Sequence, residues 1–139
     1  MQRIIISKIK TEDTWHIRHR VMWPDMPFDF VKIDNDFEGV HYGLFKDGKL
    51  TSIVSLFVEN NQVQFRKFAT EISEQGKGYG TKLLKFIISE VTKMNVDKLW
   101  CNARVDKTDY YEKFGLTKTN KTYQKGGVDF VILEKNLQV

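Results

Sequence analysis

A chain of 139 residues with 41% hydrophobic and 29% charged residues has the size and composition of one domain around one core, burying roughly two-thirds of its unfolded surface. No apolar run approaches a membrane span and the first residues carry no secretory pattern, so a cytoplasmic location without a membrane partner is expected. The one cysteine, Cys101, excludes an internal disulfide and agrees with a reducing compartment. The net charge of +4 is uneven: residues 25–38 set Asp25, Asp29, Asp34, Asp36 and Glu38 against Lys32 alone, so that segment is −4 and the remainder +8. A basic body with an acidic patch suits an anionic ligand and a cationic second substrate. The basic residues are scattered among acids rather than gathered in a run, which argues against nucleic acid.

In chain order, residues 3–9 carry Ile4, Ile5 and Ile6 and read as a first strand. Thr11 is the expected N-cap of a helix in which Trp15, Ile17, Val21 and Met22 give helical spacing up to Trp23, and Pro24 ends it. Residues 24–39 form an acidic and aromatic connection with a short helix near Phe28–Lys32. Residues 41–46 and 49–59 are β-rich runs joined by Asp47-Gly48, a strong hairpin signal. Asn60-Asn61 is the next turn, and residues 62–70 read as a third antiparallel strand. Its alternation breaks, because Val63 and Phe65 share a face and Phe68 is out of phase. Either a bulge near Arg66-Lys67 repairs this, or Phe68 packs on the opposite face.

The helix expected from Gly78 to Met94 presents Leu83, Leu84, Ile87, Ile88, Val91 and Met94 as one stripe. A strand at 98–103 follows, then a short helix over 106–114 stopped by Gly115, then a closing hairpin of 116–123 and 128–135 through Lys125-Gly126-Gly127. No repeat, low-complexity tract or boundary divides the chain, so residues 1–139 read as a single domain. A strand meander followed by crossover helices implies a mixed, mostly antiparallel α/β sheet with helices on both faces.

The chemistry centres on Gln75-Gly76-Lys77-Gly78-Tyr79-Gly80-Thr81, immediately ahead of the amphipathic helix. The first amides of a helix lack internal partners and carry partial positive charge, and glycines let a ligand approach the backbone. This is an anion site suited to phosphate, with Lys77 adding mobile charge. The spacing G-x-G-x-G is neither the dinucleotide fingerprint nor the Walker pattern, since Thr81 follows Gly80.

Gln75, Gly78 and Gly80 match Q-x-x-G-x-G, which resembles the acyl-CoA pyrophosphate loop of the GCN5-related N-acetyltransferase (GNAT) superfamily. The second stretch, Asn102-Ala103-Arg104 followed by Tyr110-Tyr111-Glu112-Lys113-Phe114-Gly115-Leu116, resembles the family's later motif, in the right order on the right elements. The resemblance covers the whole chain in architecture and is specific from Phe65 to Leu116. It implies a GNAT-like fold with the sheet splayed in its middle, and transfer of an acetyl group from the cosubstrate acetyl-CoA to a small-molecule or peptide amine. It further implies that Phe68, Ala69 and Thr70 bond the pantetheine arm as an added strand. The amides of Gly76, Lys77, Gly78, Tyr79, Gly80 and Thr81 would cradle the pyrophosphate beside Gln75. Asn102 would bond pantetheine or acceptor, Tyr111 would act as general acid, and Lys113 would reach the 3′-phosphate. Adjacent tyrosines point about 100° apart on a helix, so one of Tyr110 and Tyr111 is expected in the cleft, and the match favours Tyr111. Dimers are frequent in the family.

The chain departs from the pattern in one respect. Relatives place a glutamate on the strand at 62–70, and this strand has no acid. Glu71 lies past its end, and Asp25, Asp29, Glu38, His41 or a water chain remain open as the base, which is not assigned. A CoA-binding sensor without catalysis is the alternative function. Cys101 has no histidine near it in sequence and reads as a small buried hydrophobe. His16 and His19 lack a second ligand pair, so no metal is expected.

Overall fold

The computed structural model describes residues 2–137. Among them seven strands form one sheet: β1 (Ile4–Ile9), β2 (Val40–Lys46), β3 (Lys49–Glu59), β4 (Gln62–Thr70), β5 (Lys98–Arg104), β6 (Thr117–Lys125) and β7 (Val128–Asn136), in the order β1-β2-β3-β4-β5-β7-β6. Only β4 and β5 run parallel. The turns follow from their residues. Asp47 and Gly48 both have positive φ (51° and 82°), as do Asn60 and Asn61 (54° and 58°). Two consecutive positive φ values make the turn whose twist matches paired strands, and Asn, Asp and Gly tolerate that conformation best.

Helices cover both faces. The helix α2 (Tyr79–Thr92) buries Leu83, Leu84, Ile87 and Val91 against Tyr42, Leu44, Val54, Leu56, Val63, Phe65, Leu99 and Leu133. Full burial of each such side chain stabilises by about 1.5–3 kcal/mol. The expected stripe ran too far at its end: the helix stops at Thr92, and Met94 is exposed.

The opposite face carries α1, a composite of a 3₁₀ turn (Thr11–Thr14), an α turn (Trp15–Ile17) and a π turn (Arg18–Met22). Ile17 packs there on Ile53 and Ala69. The sequence signals its start wrongly. The cap is Lys10, whose N–H donates to Asp13 Oδ2 at 3.0 Å, while Thr11 is buried. At the other end the Trp23 N–H is shared between the carbonyls of Arg18 and His19 (3.3 and 3.2 Å). Pro24 follows with no N–H to extend the ladder.

Arg18 is buried in this layer and forms a two-pronged ion pair with Asp36 (Nη1–Oδ2 2.7 Å, Nη2–Oδ1 2.9 Å). It also donates to the Val31 carbonyl and to Ser55 Oγ. Asp36 accepts from Trp15 Nε1 at 3.0 Å and from the Ile33 N–H at 3.3 Å. Burial acts to raise the Asp36 pKa, but the hydrogen bonds from Arg18 and Trp15 and the Arg18 charge outweigh it and hold it below its ordinary 3.8. A lowered carboxylate pKa contributes stability that is present above the unfolded value and lost as pH falls through the folded one. Thermal midpoints should therefore hold from neutrality to about pH 4 and fall below it. Midpoints already falling between pH 6 and 5 would assign the acid limb to another group.

Candidate active site

Strand register determines where the sheet opens. β4 and β5 pair only over Gln62–Gln64 and Lys98–Trp100, so beyond Gln64 the β4 edge lies beside a gap. At that point β4 bulges. Ser55 faces Arg66 and Ile53 faces Ala69, which leaves one more residue on β4 than on β3. Lys67 takes up the extra residue at φ 56°. The phase then recovers: Phe68 joins Phe65 on the α2 face, their rings 6.5 Å apart, and Ala69 turns to the α1 face. The bulge, not the opposite-face alternative, explains the broken alternation.

The glycine loop caps the open end of the gap. Gly76 and Gly78 have φ of 78° and 87°, and a Cβ at either would meet nothing within 4 Å. Both are glycine for conformation, and the space beside them is open. Gly80 differs, since a Cβ there would lie 3.2 Å from the Phe68 ring and from Thr70 Oγ1. The glycine lets the first turn of α2 sit directly on the bulged strand. No side chain caps α2, its first turn holds no acid, and its first internal bond runs from the Lys82 N–H to the Gly78 carbonyl. The amides of Tyr79, Gly80 and Thr81 thus precede the helical ladder, at its positive end. Replacing Gly78 by Ala keeps the space but forces a side chain into left-handed backbone, at about 1–2 kcal/mol. Thermal denaturation should show the midpoint lowered by several degrees; an unchanged midpoint would mean that the loop is not held in this form.

The side chains of the loop serve mostly to hold it. Gln75 Nε2 donates to the Thr70 carbonyl at 3.0 Å, tying the loop to the strand end. Ser52 Oγ donates to the Ala69 carbonyl and bonds Thr70 Oγ1. Lys77 is less mobile than expected, because Glu74 pairs with both Lys77 and Lys46 at 3.1 Å. The Tyr79 ring is buried in the core, and its hydroxyl accepts from Gln2 Nε2 at 2.8 Å; only its amide is left for a ligand. Thr81 Oγ1 and the Tyr110 hydroxyl are hydrogen-bonded at 3.0 Å, which joins the loop to the helix α3 (Thr108–Glu112).

Asn102, Ala103, Arg104, Lys107, Tyr110, Tyr111 and Phe130 line a cleft of about 380 Å³ at the ends of β5 and α3. Both tyrosines line it, where helical geometry had suggested one. The Tyr110 hydroxyl is taken by Thr81. The Tyr111 ring packs 5.8 Å from Phe65, and its hydroxyl has no hydrogen-bond partner among the described residues. Burial pushes the Tyr111 phenol above its ordinary 10, with Cys101 and Tyr110 adding to the rise, so at neutral pH it holds its proton. Asn102 is exposed at the same cleft, and Lys113 is exposed on the far end of α3. Burial also pushes the Cys101 thiol up to about 12, which leaves no thiolate to act as a nucleophile.

Three of the bases weighed from sequence, Glu71, Asp29 and His41, are occupied. Glu71 follows β4 and pairs with Arg20 at 2.8 Å. Asp29 pairs with Lys32 at 2.8 Å. His41 is buried, its Nε2 2.8 Å from the Asp36 carbonyl, to which it must donate, and its Nδ1 2.6 Å from Ser55 Oγ. That tautomer accepts from Ser55 and leaves no nitrogen for a substrate. His19 is spent on the Met26 carbonyl at 2.7 Å. Sequence reasoning missed the Arg18–Asp36–Ser55–His41 array, because its members are scattered along the chain and only the fold joins them.

The parallel strands β4 and β5 thus part past a bulge, with the glycine-rich start of α2 and the Tyr111 cleft beside the gap. Residues 32–137 match the family model described as the acetyltransferase (GNAT) domain. The chain is 30% identical over 143 residues to the uncharacterized N-acetyltransferase YitI of Bacillus subtilis, covering 96% of each. A putative N-acetyltransferase from Lactobacillus plantarum superposes with a TM-score of 0.84 at 19% identity, over 99% of both chains. A GNAT family acetyltransferase from Elizabethkingia anophelis with acetyl-CoA bound does so at 0.76 and 15%, over 96% of this chain and 97% of that one. The chain belongs to the GNAT family of acetyl-CoA-dependent N-acetyltransferases.

Proposed function

We propose that this protein transfers an acetyl group from acetyl-CoA to an amine by direct attack, with Tyr111 as general acid. The observation that carries the reading is the unpartnered Tyr111 hydroxyl, kept protonated by burial in the cleft it shares with Asn102. The open space at Gly76 and Gly78 and the uncapped start of α2 fit a diphosphate on the amides of residues 76–81. The free edge of β4 at Phe68–Thr70 suits a pantetheine arm lying as a further strand, and an amide there can stabilise the carbonyl oxygen as charge develops. Asn102 orients the arm or the acceptor, and Lys113 reaches the 3′-phosphate.

The amine nitrogen bonds to the thioester carbon, the C–S bond breaks, and the departing thiolate takes the Tyr111 proton. The acceptor nitrogen gives its own proton to water, since β4 holds no acid and offers Arg66 and Lys67 instead. Release of free CoA thiol from acetyl-CoA in the presence of an amine panel tests the assignment. Amine-dependent thiol release is expected. Binding of acetyl-CoA with no transfer to any amine would make the protein a CoA sensor instead. Because a protonated Tyr111 is required and its pKa lies above 10, turnover should show no alkaline loss below pH 9 attributable to this group. A fall centred near pH 8 would remove it from the acid role.

A further inference from the structure

We infer that the acceptor amine carries an anionic group, a carboxylate or a phosphate, held by Arg66, Lys67, Arg104 and Lys125 on the α1 face of the splayed sheet. The inference rests on the acetyltransferase reading above and names the class of its second substrate.

The four cations come together through register. On β4, Arg66 pairs opposite Ser55, whose hydroxyl meets Arg18 of α1, so Arg66 points to the α1 face; its guanidinium sits 5.7 Å over the Phe57 ring. The bulge puts Lys67 beside it. On β5, Leu99, Cys101 and Ala103 are buried under α2, so Asn102 and Arg104 alternate to the α1 face. Arg104 pairs with Phe130, Phe130 stacks on Tyr123 at 5.2 Å, and Lys125 and Val128 close the same hairpin two residues on. By register the four residues lie on the α1 face, Arg66 and Lys67 on one side of the β4–β5 gap and Arg104 and Lys125 on the other.

None of the four forms an ion pair among the described residues, whose ion pairs involve other cations. On the α1 side, Asp36 is committed to Arg18, Glu71 to Arg20 and Asp29 to Lys32. The acidic segment 25–38, which in sequence suggests a cationic acceptor, thus spends its one buried carboxylate on the scaffold. Burial lowers the Lys67 pKa; Arg66, Arg18 and Lys125 lower it further, and Asp36 opposes them. Lys125 is thus close enough across the opening for its charge to act on Lys67. Unpaired like charges crowded at a partly desolvated opening are relieved by an anion, and Arg groups bind carboxylate and phosphate alike.

The test is kcat/KM with acetyl-CoA and matched acceptor pairs: L-glutamate against L-glutamic acid diamide, and glucosamine 6-phosphate against glucosamine, with spermidine as the cationic comparison. One anionic member should exceed its neutral partner and spermidine by about tenfold or more, and which pair responds separates carboxylate from phosphate. Arg66→Gln and Lys125→Gln should each raise the KM for that acceptor about threefold or more and leave the KM for acetyl-CoA unchanged. Equal or better use of neutral amines or spermidine, no turnover of any anionic amine, or a KM indifferent to both substitutions would overturn the inference. Calorimetry with acetyl-CoA separates the two levels. Binding with a neutral or cationic preference defeats this inference alone, whereas no binding defeats the acetyltransferase reading with it.

Discussion

Tyr111→Phe should lower kcat by about 100-fold while leaving the acetyl-CoA dissociation constant within about twofold, the span expected for losing a positioned proton donor. The substitution removes one oxygen and keeps the ring against Phe65 (5.8 Å) and Tyr110 (5.3 Å), so the cleft wall should persist. The hydroxyl has no hydrogen-bond partner among the described residues, so no buried group is orphaned by its loss. Tyr110→Phe is the matched control. It breaks the bond to Thr81 and should act mainly through the pyrophosphate loop, raising the KM for acetyl-CoA more than it lowers kcat. Equal effects of the two substitutions on kcat, or an unchanged kcat in the first, would take the acid role from Tyr111.

Arg18→Met should destabilise the fold by about 3–5 kcal/mol, the range for removing one partner of a buried ion pair. Arg18 and Asp36 are each about 1% exposed. With the guanidinium gone, Asp36 keeps only Trp15 and the Ile33 amide, and Ser55 and the Val31 carbonyl lose a donor. A buried, under-partnered carboxylate then takes up a proton instead, so the loss should be smaller at pH 4 than at pH 7. Replacing both residues, Arg18→Met with Asp36→Leu, should recover much of the loss, because a well-packed apolar pair avoids the desolvation cost of both charges. Chemical denaturation at the two pH values reads all of this. A cost below about 1 kcal/mol for Arg18→Met, as for a surface pair, would show that the array does not hold α1 to the sheet.

The strands were legible because short-range chemistry decides them. Asp47-Gly48 and Asn60-Asn61 set two hairpins, and β3 and β4 keep the bounds that the turns imply. The bulge was legible as a phase error between Phe65 and Phe68. The glycine loop could be located but not resolved into jobs. Gly76 and Gly78 are there for φ and Gly80 for the closeness of Phe68, a distinction that depends on which strand lies underneath.

What sequence could not give depends on contacts between distant residues. The π turn in α1 has no periodic signature, since it shifts the register by one residue near Pro24. The acids of residues 25–38 look alike in sequence, yet Asp36 is buried on Arg18 and Asp29 lies on the surface with Lys32. Tyr110 and Tyr111 both reach the cleft, which they line with Asn102, Ala103 and Arg104 of β5 and Phe130 of β7, because α3 is only five residues long and its two faces are not separated as on a longer helix.

A crystal structure with CoA bound tests the central claim most directly. The account predicts the diphosphate within hydrogen-bonding distance of the amides of residues 78–81, with the sulfur at the Tyr111 hydroxyl where β4 and β5 part. A diphosphate held elsewhere, or a sulfur out of reach of that phenol, would contradict it.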